Sequence, residues 1–96
     1  MAAYVILGNL TEKGAADIKA ALTALRERTQ RAAERGITVK ALYVTQGVYD
    51  LAALVEGEEQ AVMAGLFALA ADGLVRTTTL RAFSLDEVDQ ILGRTA

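Results

Sequence analysis

The residue types that are missing from this 96-residue chain limit the chemistry that it could carry out. The sequence contains no cysteine and no histidine, which leaves out disulfides, thiolate and imidazole chemistry, and the ordinary zinc and copper sites. The only serine, Ser84, has no histidine to activate it. Any catalysis would therefore use carboxylates, lysine, arginine, tyrosine or threonine, and we expect neither a metal nor another cofactor.

The most distinctive local cluster is Gly47-Val48-Tyr49-Asp50. In the simpler interpretation, Gly47 supplies a turn position with positive φ, Asp50 accepts N–H bonds from the turn, and Tyr49 packs with its hydroxyl at the rim. In the functional interpretation, Asp50 binds the ammonium or hydroxyl group of a ligand, or acts as a general base if burial raises its pKa. Tyr49 and Asp50 would point to opposite faces of a strand, so they would not act as a dyad.

Further candidate binding residues lie in segments with strand composition. Arg76 and Thr78 share one face of such a segment. An arginine inside a cavity would bind a carboxylate, whereas on an edge strand it would act as a solvated charge that prevents aggregation. Tyr4 and Tyr43 could line a pocket, although packing in the core or at its rim is the simpler role for both. The candidate ligand-binding set is Tyr4, Tyr43, Tyr49, Asp50, Arg76 and Thr78.

Apolar runs and capping signals predict the elements that must position these side chains. The predicted elements are a strand over 3–7, a helix over 12–35 between an N-cap at Thr11 and Gly36, strands over 37–45 and 49–56, a helix over 57–72, a strand over 74–83 and a short helix after a capping box at 84–87. This order predicts one α+β domain over residues 1–96. We expect a ferredoxin-like βαββαβ fold with a four-stranded antiparallel sheet in the order 4-1-3-2, plus a C-terminal helix.

The apolar pattern of the strands predicts how the sheet is covered. Strict alternation in the second strand places Ile37, Val39, Ala41 and Tyr43 on one face. The first and third strands are apolar on both faces, as is typical of central strands. Because two helices cover only one face of such a sheet, we expect a second copy of the chain to cover the other face. The expected dimer or higher oligomer would hold a small pocket at the subunit interface.

Charge and hydropathy argue against two classes of partner. Ten basic and twelve acidic residues give a net charge of −2, which is too balanced for binding to a phosphate backbone. The basic residues of the first predicted helix alternate with acidic ones, with Glu27 and Arg31 in the favourable i, i+4 order, so we interpret them as a solvated face. The longest apolar run, over 61–71, is too short to cross a bilayer. We therefore expect no nucleic-acid or membrane partner and, without a signal sequence, a cytoplasmic location.

Three segments together carry a family resemblance. They are residues 4–11 followed by Gly14, residues 43–50 with Gly-x-Tyr-Asp at 47–50, and residues 75–83 with three consecutive threonines. In this order and spacing the chain resembles the GYD-domain family, which implies a ferredoxin-like fold of the dimeric α/β-barrel kind. The resemblance supplies no reaction and no catalytic residues. Residues 43–50 and 75–79 are also distantly similar to the ligand-binding domain of leucine-responsive and asparagine-type regulators, which implies amino-acid binding between subunits; the DNA-binding helix-turn-helix is absent.

Three hypotheses about function follow from these observations. The leading one is a homo-oligomeric small-molecule-binding or assembly module without catalysis of its own, with its pocket near Tyr49, Asp50 and Arg76. The first alternative is a cofactor-free enzyme of the dimeric α/β-barrel type, in which Asp50 or Tyr49 transfers a proton. The second alternative is a purely structural subunit that has no ligand.

Overall fold

The computed structural model of the chain describes residues 1–94 and contains four strands and four α-helices within that range. In chain order they are β1 (Ala2–Leu10), α1 (Glu12–Ala16), α2 (Ile18–Ala32), β2 (Thr38–Val44), β3 (Leu51–Gly57), α3 (Glu59–Asp72), β4 (Val75–Ala82) and α4 (Leu85–Gly93). The strands form one antiparallel sheet in the order β2-β3-β1-β4. The predicted α+β class, ferredoxin-like topology and strand order are confirmed.

The single helix predicted over 12–35 is divided into consecutive pieces. Its N-cap is confirmed, because the Thr11 hydroxyl accepts the N–H of Gly14 at 3.1 Å. Asp17 then leaves the helical conformation, with φ −145° and ψ 83°, and its carboxylate accepts the N–H of Ala20 at 3.1 Å. Since an aspartate can replace a helical hydrogen bond with one from its own side chain, Asp17 ends α1 and caps α2. A 3-10 turn then leads to Gly36, which has a φ of 77° as predicted.

The short helix α1 is fixed against the connection between α3 and β4. The Thr11 N–H donates to the carbonyl oxygen of Leu74 at 3.0 Å, and its hydroxyl donates to that of Gly73 at 2.6 Å. Gly14 lies so close to this connection that a Cβ atom on it would stand 2.2 Å from the Leu74 carbonyl oxygen. These contacts hold the end of β1 beside the end of α3.

Two strands differ from their predictions. β1 continues past Gly8 to Leu10 because β4 pairs with it as far as Leu10. In β2 the register shifts between Val39 and Ala41, so that Lys40 is an extra residue, as in a β-bulge. The bulge puts Ala41 and Tyr43 on the sheet face opposite to Ile37 and Val39. The prediction that these four residues share one face is therefore wrong.

The two faces of the sheet are packed differently. On the covered face, α2 and α3 pack against the sheet, and the core is formed by Tyr4, Ile37, Val55 and Val62. On the open face no helix of the described chain covers the central strands. The open face includes Val5, Leu7 and Asn9 of β1, Ala41 and Tyr43 of β2, Ala52 and Leu54 of β3, and Arg76, Thr78 and Leu80 of β4, with Ala3, Glu56 and Ala82 in the row beyond Val5.

The remaining helix ends follow the capping signals. α3 ends at Gly73 in the left-handed region, and α4 begins with the complete capping box that the sequence predicts. In that box the carboxylate of Glu87 accepts the N–H of Ser84 at 3.0 Å, and this bond lowers the pKa of the Glu87 carboxyl. Among the residues described, no helix is both long enough and apolar enough to cross a membrane.

Candidate functional site

The open face is organised as rows of side chains that run across the four strands. Strand pairing aligns Tyr43 of β2, Ala52 of β3, Leu7 of β1 and Thr78 of β4 in one row. The next row toward the N-terminus of β1 contains Ala41, Leu54, Val5 and Leu80. The centre of the open face is thus apolar, and the candidates Tyr43 and Thr78 lie at its two edges. Because strands are spaced by about 4.8 Å, three strand spacings, or about 14 Å, separate these two residues.

The polar end of the open face contains Arg76. Its direct partner across β1 and β4 is Asn9, a residue that sequence reasoning did not single out. The two are cross-strand neighbours, whose Cβ atoms typically lie about 5 Å apart. Arg76 is exposed and has no ion-pair partner within residues 1–94. Together, the guanidinium and the amide could bind one carboxylate or carbonyl group.

Asp50 lies at the same end of the sheet, where its carboxylate forms a hydrogen bond with the backbone of β1. Its Oδ2 atom accepts the N–H of Leu10, forty residues away, at 2.9 Å. Its own N–H donates to the carbonyl oxygen of Gly8 at 2.9 Å. The carboxylate therefore replaces a backbone acceptor where the pairing of β1 with β3 ends. The simpler interpretation of Asp50 had the right kind of bond but the wrong partner, since the N–H belongs to β1 and not to the turn.

Tyr49 lies in the connection between β2 and β3, because β3 begins at Leu51 and not at Tyr49 as predicted. Its carbonyl oxygen accepts the hydroxyl hydrogen bond of Thr45, which closes the connection, and Gly47 has the predicted positive φ, 108°. Tyr49 is half-buried. Because Tyr49 lies outside β3, strand alternation does not determine which side of the sheet its side chain occupies.

Tyr4 is separated from the other candidates by the sheet itself. It lies on the covered face and is only 8% exposed, whereas Tyr43 lies on the open face and is 68% exposed. The hydroxyl of Tyr4 is buried without a hydrogen-bond partner in the described part of the chain. The guanidinium of Arg81 stands 5.6 Å from the centre of the Tyr4 ring, in cation–π range. The structure thus brings Arg76, Thr78 and Tyr43 to one surface and excludes Tyr4 from it.

The helix layer contains one well-defined ion pair, which the sequence did not suggest. Arg28 of α2 donates to both carboxylate oxygens of Asp72, at 2.8 and 2.6 Å. These hydrogen bonds lower the pKa of the Asp72 carboxyl and raise that of the Arg28 guanidinium. Glu27 and Arg31 form no ion pair in the described range. Arg28 therefore joins α2 to the end of α3, where the sequence had indicated a solvated face.

The fold and the motif positions match a known family model. The model of the GYD domain aligns with residues 4–92, nearly the whole chain. The chain belongs to the GYD-domain family. This confirms the resemblance seen in the sequence, and the Gly-x-Tyr-Asp segment of this GYD domain is the connection that Asp50 ties to β1.

Solved structures resemble this GYD domain over most of its length. The crystal structure of TTHA0845 from Thermus thermophilus is 26% identical, with a TM-score of 0.53, and the match covers 88% of this chain and 95% of that chain. The crystal structure of FFRP-DM1 is 22% identical, with a TM-score of 0.49, and the match covers 86% of this chain and 100% of that chain. No curated protein matches the sequence significantly. Within residues 1–94 there is no cluster of three or more residues suited to hold a metal ion.

Proposed function

We propose that this GYD domain is a homo-oligomeric small-molecule-binding module in which two copies pair through their open faces. The observation that carries the proposal is the apolar centre of the open face. Leu54 and Leu80 there are 38% and 48% exposed in the single chain, and Val5 and Leu7 between them are only half-buried. Contiguous apolar surface of this kind is typical of an interaction site.

A second copy is the occupant that the geometry favours. The apolar side chains of the open face extend over all four strands, which suits another sheet packed about 10 Å away better than a single helix. A two-fold axis through the Leu54 and Val5 row would place the same apolar side chains against each other. The exposed apolar side chains of α4 support an oligomer as well, since Leu85 is 83% exposed and Ile91 is 44% exposed.

The pocket of the proposed module lies at the polar end of the paired faces. Arg76 and Asn9 would enter the space between the sheets, with Thr78 and Tyr43 in the adjacent row. An arginine beside an amide recognises a carboxylate through several hydrogen bonds at once. We therefore propose a small carboxylate-bearing molecule as the ligand, with Arg76 as its anchor. Asp50 would border the pocket and support it through its hydrogen bond to β1.

Native mass spectrometry of the purified protein tests the assembly. We expect a dimer or a larger even-numbered oligomer for the wild type and a monomer for Leu54→Glu, because the substitution buries an unpaired charge in the paired face. Ile18→Glu is the matched control. Ile18 is similarly exposed, at 52%, but lies on α2 on the other side of the sheet, so this variant should stay oligomeric. A wild-type monomer at micromolar concentration would contradict the proposal.

The ligand part of the proposal is tested separately on the same protein. Extra mass on the oligomer, or a rise in Tm with a panel of small carboxylates, would identify the ligand class. Arg76→Ala should reduce that rise, whereas Arg26→Ala on the outer surface of α2 should leave it unchanged. An oligomer that shows neither extra mass nor a thermal shift would favour the structural-subunit alternative. Turnover that Asp50→Asn abolishes without loss of assembly would instead favour the enzyme alternative.

A further inference from the structure

A cavity of about 130 Å³ lies on the covered side of the sheet, between the sheet and the helices α2 and α3. Its walls are almost entirely apolar. The sheet contributes Ile6, Leu51, Ala53 and Val75, and the helices contribute Leu25, Leu66 and Leu69. Several of these side chains, although they face the interior, are only half-buried. The helix layer therefore rests on the sheet without filling the space beneath it.

Small residues at key positions of the wall keep this space empty. Gly65 lies in the interior of α3, where glycine is disfavoured because it loses more backbone entropy than any other residue. Its backbone does not require glycine, since its φ is not positive. A Cβ atom on Gly65 would meet only the end of the Ile37 side chain, at 3.2 Å. The wall also contains the small residues Gly8, Ala32, Ala53 and Ala68. Larger side chains at Gly65 or Ala68 could fill the cavity, but this chain has small residues at both positions.

Three arginines of α2 and the turn after it border the same cavity. Arg28, Arg31 and Arg35 follow each other at spacings of three and four and all line it, so they lie on one side of the helix. Arg28 is engaged by Asp72. The guanidinium groups of Arg31 and Arg35 are exposed and, within the part of the chain that the structure describes, have neither an ion pair nor a side-chain hydrogen bond. The cavity thus combines an apolar interior with two lining arginines, Arg31 and Arg35, that form none of the ion pairs of the described residues.

We propose that this cavity binds a small monocarboxylate with an aromatic or branched apolar body, whose carboxylate is held by Arg31 and Arg35. This site is distinct from the pocket proposed on the open face, because the sheet separates the two. Its volume is comparable to that of an apolar cavity of about 150 Å³ that binds benzene in another protein, so a single ring fits. Arginine is the side chain best suited to hold a carboxylate, through two parallel N–H···O bonds.

Two probes of similar shape separate the apolar and the ionic contributions to binding at this site. The probes are 4-methylbenzoate and p-xylene, which has a methyl group in place of the carboxylate. We expect 4-methylbenzoate to bind with one molecule per chain and p-xylene to bind more weakly. In methyl NMR spectra, both probes should shift the signals of Leu66 and Leu69 and leave those of Leu54 and Leu80 on the open face unchanged.

Substitutions of the arginines and of the small wall residues then show which side chains contribute to probe binding. The double variant Arg31→Gln, Arg35→Gln should weaken binding of 4-methylbenzoate by about tenfold or more, since a charge-assisted hydrogen bond is lost, and should not change binding of p-xylene. Arg26→Gln on the same helix does not line the cavity and should leave both probes unaffected. Gly65→Leu should exclude both probes. If that variant does not fold, Ala68→Leu serves the same purpose at another part of the wall, and far-UV circular dichroism checks both.

Each result decides for or against the site. No binding of either probe to the folded wild type, or shifts confined to the open face, would overturn the proposal. Binding of p-xylene alone, or equal weakening of both probes by the arginine variants, would overturn the assignment of Arg31 and Arg35 to a carboxylate. The open-face dimer is tested independently, because Leu54→Glu leaves this cavity intact and the arginine variants leave the open face intact.

Discussion

Two leucines three residues apart in β3 show how differently the two faces of one sheet are used. Leu51 lies on the covered face and is 6% exposed, whereas Leu54 lies on the open face and is 38% exposed. Both are aligned with apolar neighbours on the adjacent strands. The covered face is closed by helices of the same chain but retains a cavity, whereas the open face has an apolar centre that no helix within residues 1–94 covers. An apolar strand pattern therefore predicts that a sheet surface is buried, but it does not predict which element or molecule covers that surface.

Truncation of Leu51 should cause the greatest loss of stability, and the same truncation at Leu54 serves as the comparison. Leu51→Ala should lower the free energy of unfolding by about 2 to 5 kcal/mol, because it removes buried methyl groups and leaves a void. Leu54→Ala should cost far less in dilute solution, where no partner covers it, and more as the protein concentration rises. Urea unfolding at two protein concentrations measures both. Equal, concentration-independent losses for the two variants would contradict the distinction between the faces.

Asp50 lies where the pairing between β1 and β3 ends, and its removal should have the next largest effect. Asp50→Ala leaves the N–H of Leu10 without its acceptor and should cost about 1 to 3 kcal/mol of unfolding free energy. Asp50→Asn retains an oxygen that can accept the same bond and should cost less. Thermal or urea unfolding of the two variants side by side checks this ranking. If alanine and asparagine cost the same, the hydrogen bond is not what Asp50 contributes to stability.

The pair of Arg28 and Asp72 links stability to pH within the helix layer. Since the folded pKa of Asp72 lies below its ordinary value of 3.8, the pair contributes in full above that value. The contribution is lost as the pH falls through the lower pKa of the folded state. Asp72→Asn should therefore reduce stability at neutral pH and reduce the further loss on acidification. The effect is modest because both groups are partly exposed.

Unfolding experiments at neutral pH and near pH 3 measure the contribution of Asp72. Asp89→Asn is the matched control, since Asp89 is an exposed aspartate on α4 and forms none of the ion pairs of the described chain. This variant should keep the wild-type difference between the two pH values. If Asp72→Asn also keeps the full difference, then the pair does not contribute to acid sensitivity.

The smallest effect is expected at Tyr4. Its buried hydroxyl has no partner within residues 1–94, so Tyr4→Phe should leave the free energy of unfolding unchanged or raise it by up to about 1 kcal/mol. Tyr43→Phe on the open face removes a hydroxyl that water already solvates and should have no effect on the single chain. Differential scanning calorimetry of both variants tests this. A clear loss of stability in Tyr4→Phe would mean that the hydroxyl has a partner after all.

Most of the fold was predictable because its signals are local. The N-cap at Thr11, the helix end at Gly36 and the capping box at Ser84 each act within one turn of a helix, and the structure confirms all three. The break at Asp17 was missed because an aspartate also occurs within helices, and only its backbone conformation shows that it ends α1 and caps α2. The bulge at Lys40 was missed because it is a property of the pairing between two strands and leaves no mark in the β2 sequence alone.

The candidate sites were less predictable because they depend on distant partners. Arg76 and Thr78 were placed on one face correctly, but Asn9 joins them only through the pairing of β1 with β4. Tyr4 was grouped with Tyr43 by residue type, and the sheet separates them. The spacing of three and four between the arginines at 28, 31 and 35 is visible in the sequence. Only the structure shows that all three line one cavity beside α3.

The order and type of the elements, their caps and the apolar character of both sheet faces follow from the amino-acid sequence, because each depends on residues close together in the chain. The family follows from the order and spacing of three separate segments. Which face the helices cover, where the cavity lies and which side chains meet at it follow only from the tertiary structure. The hydrogen bond from Leu10 to Asp50 spans forty residues, and such contacts exist only once strand register and helix direction are fixed.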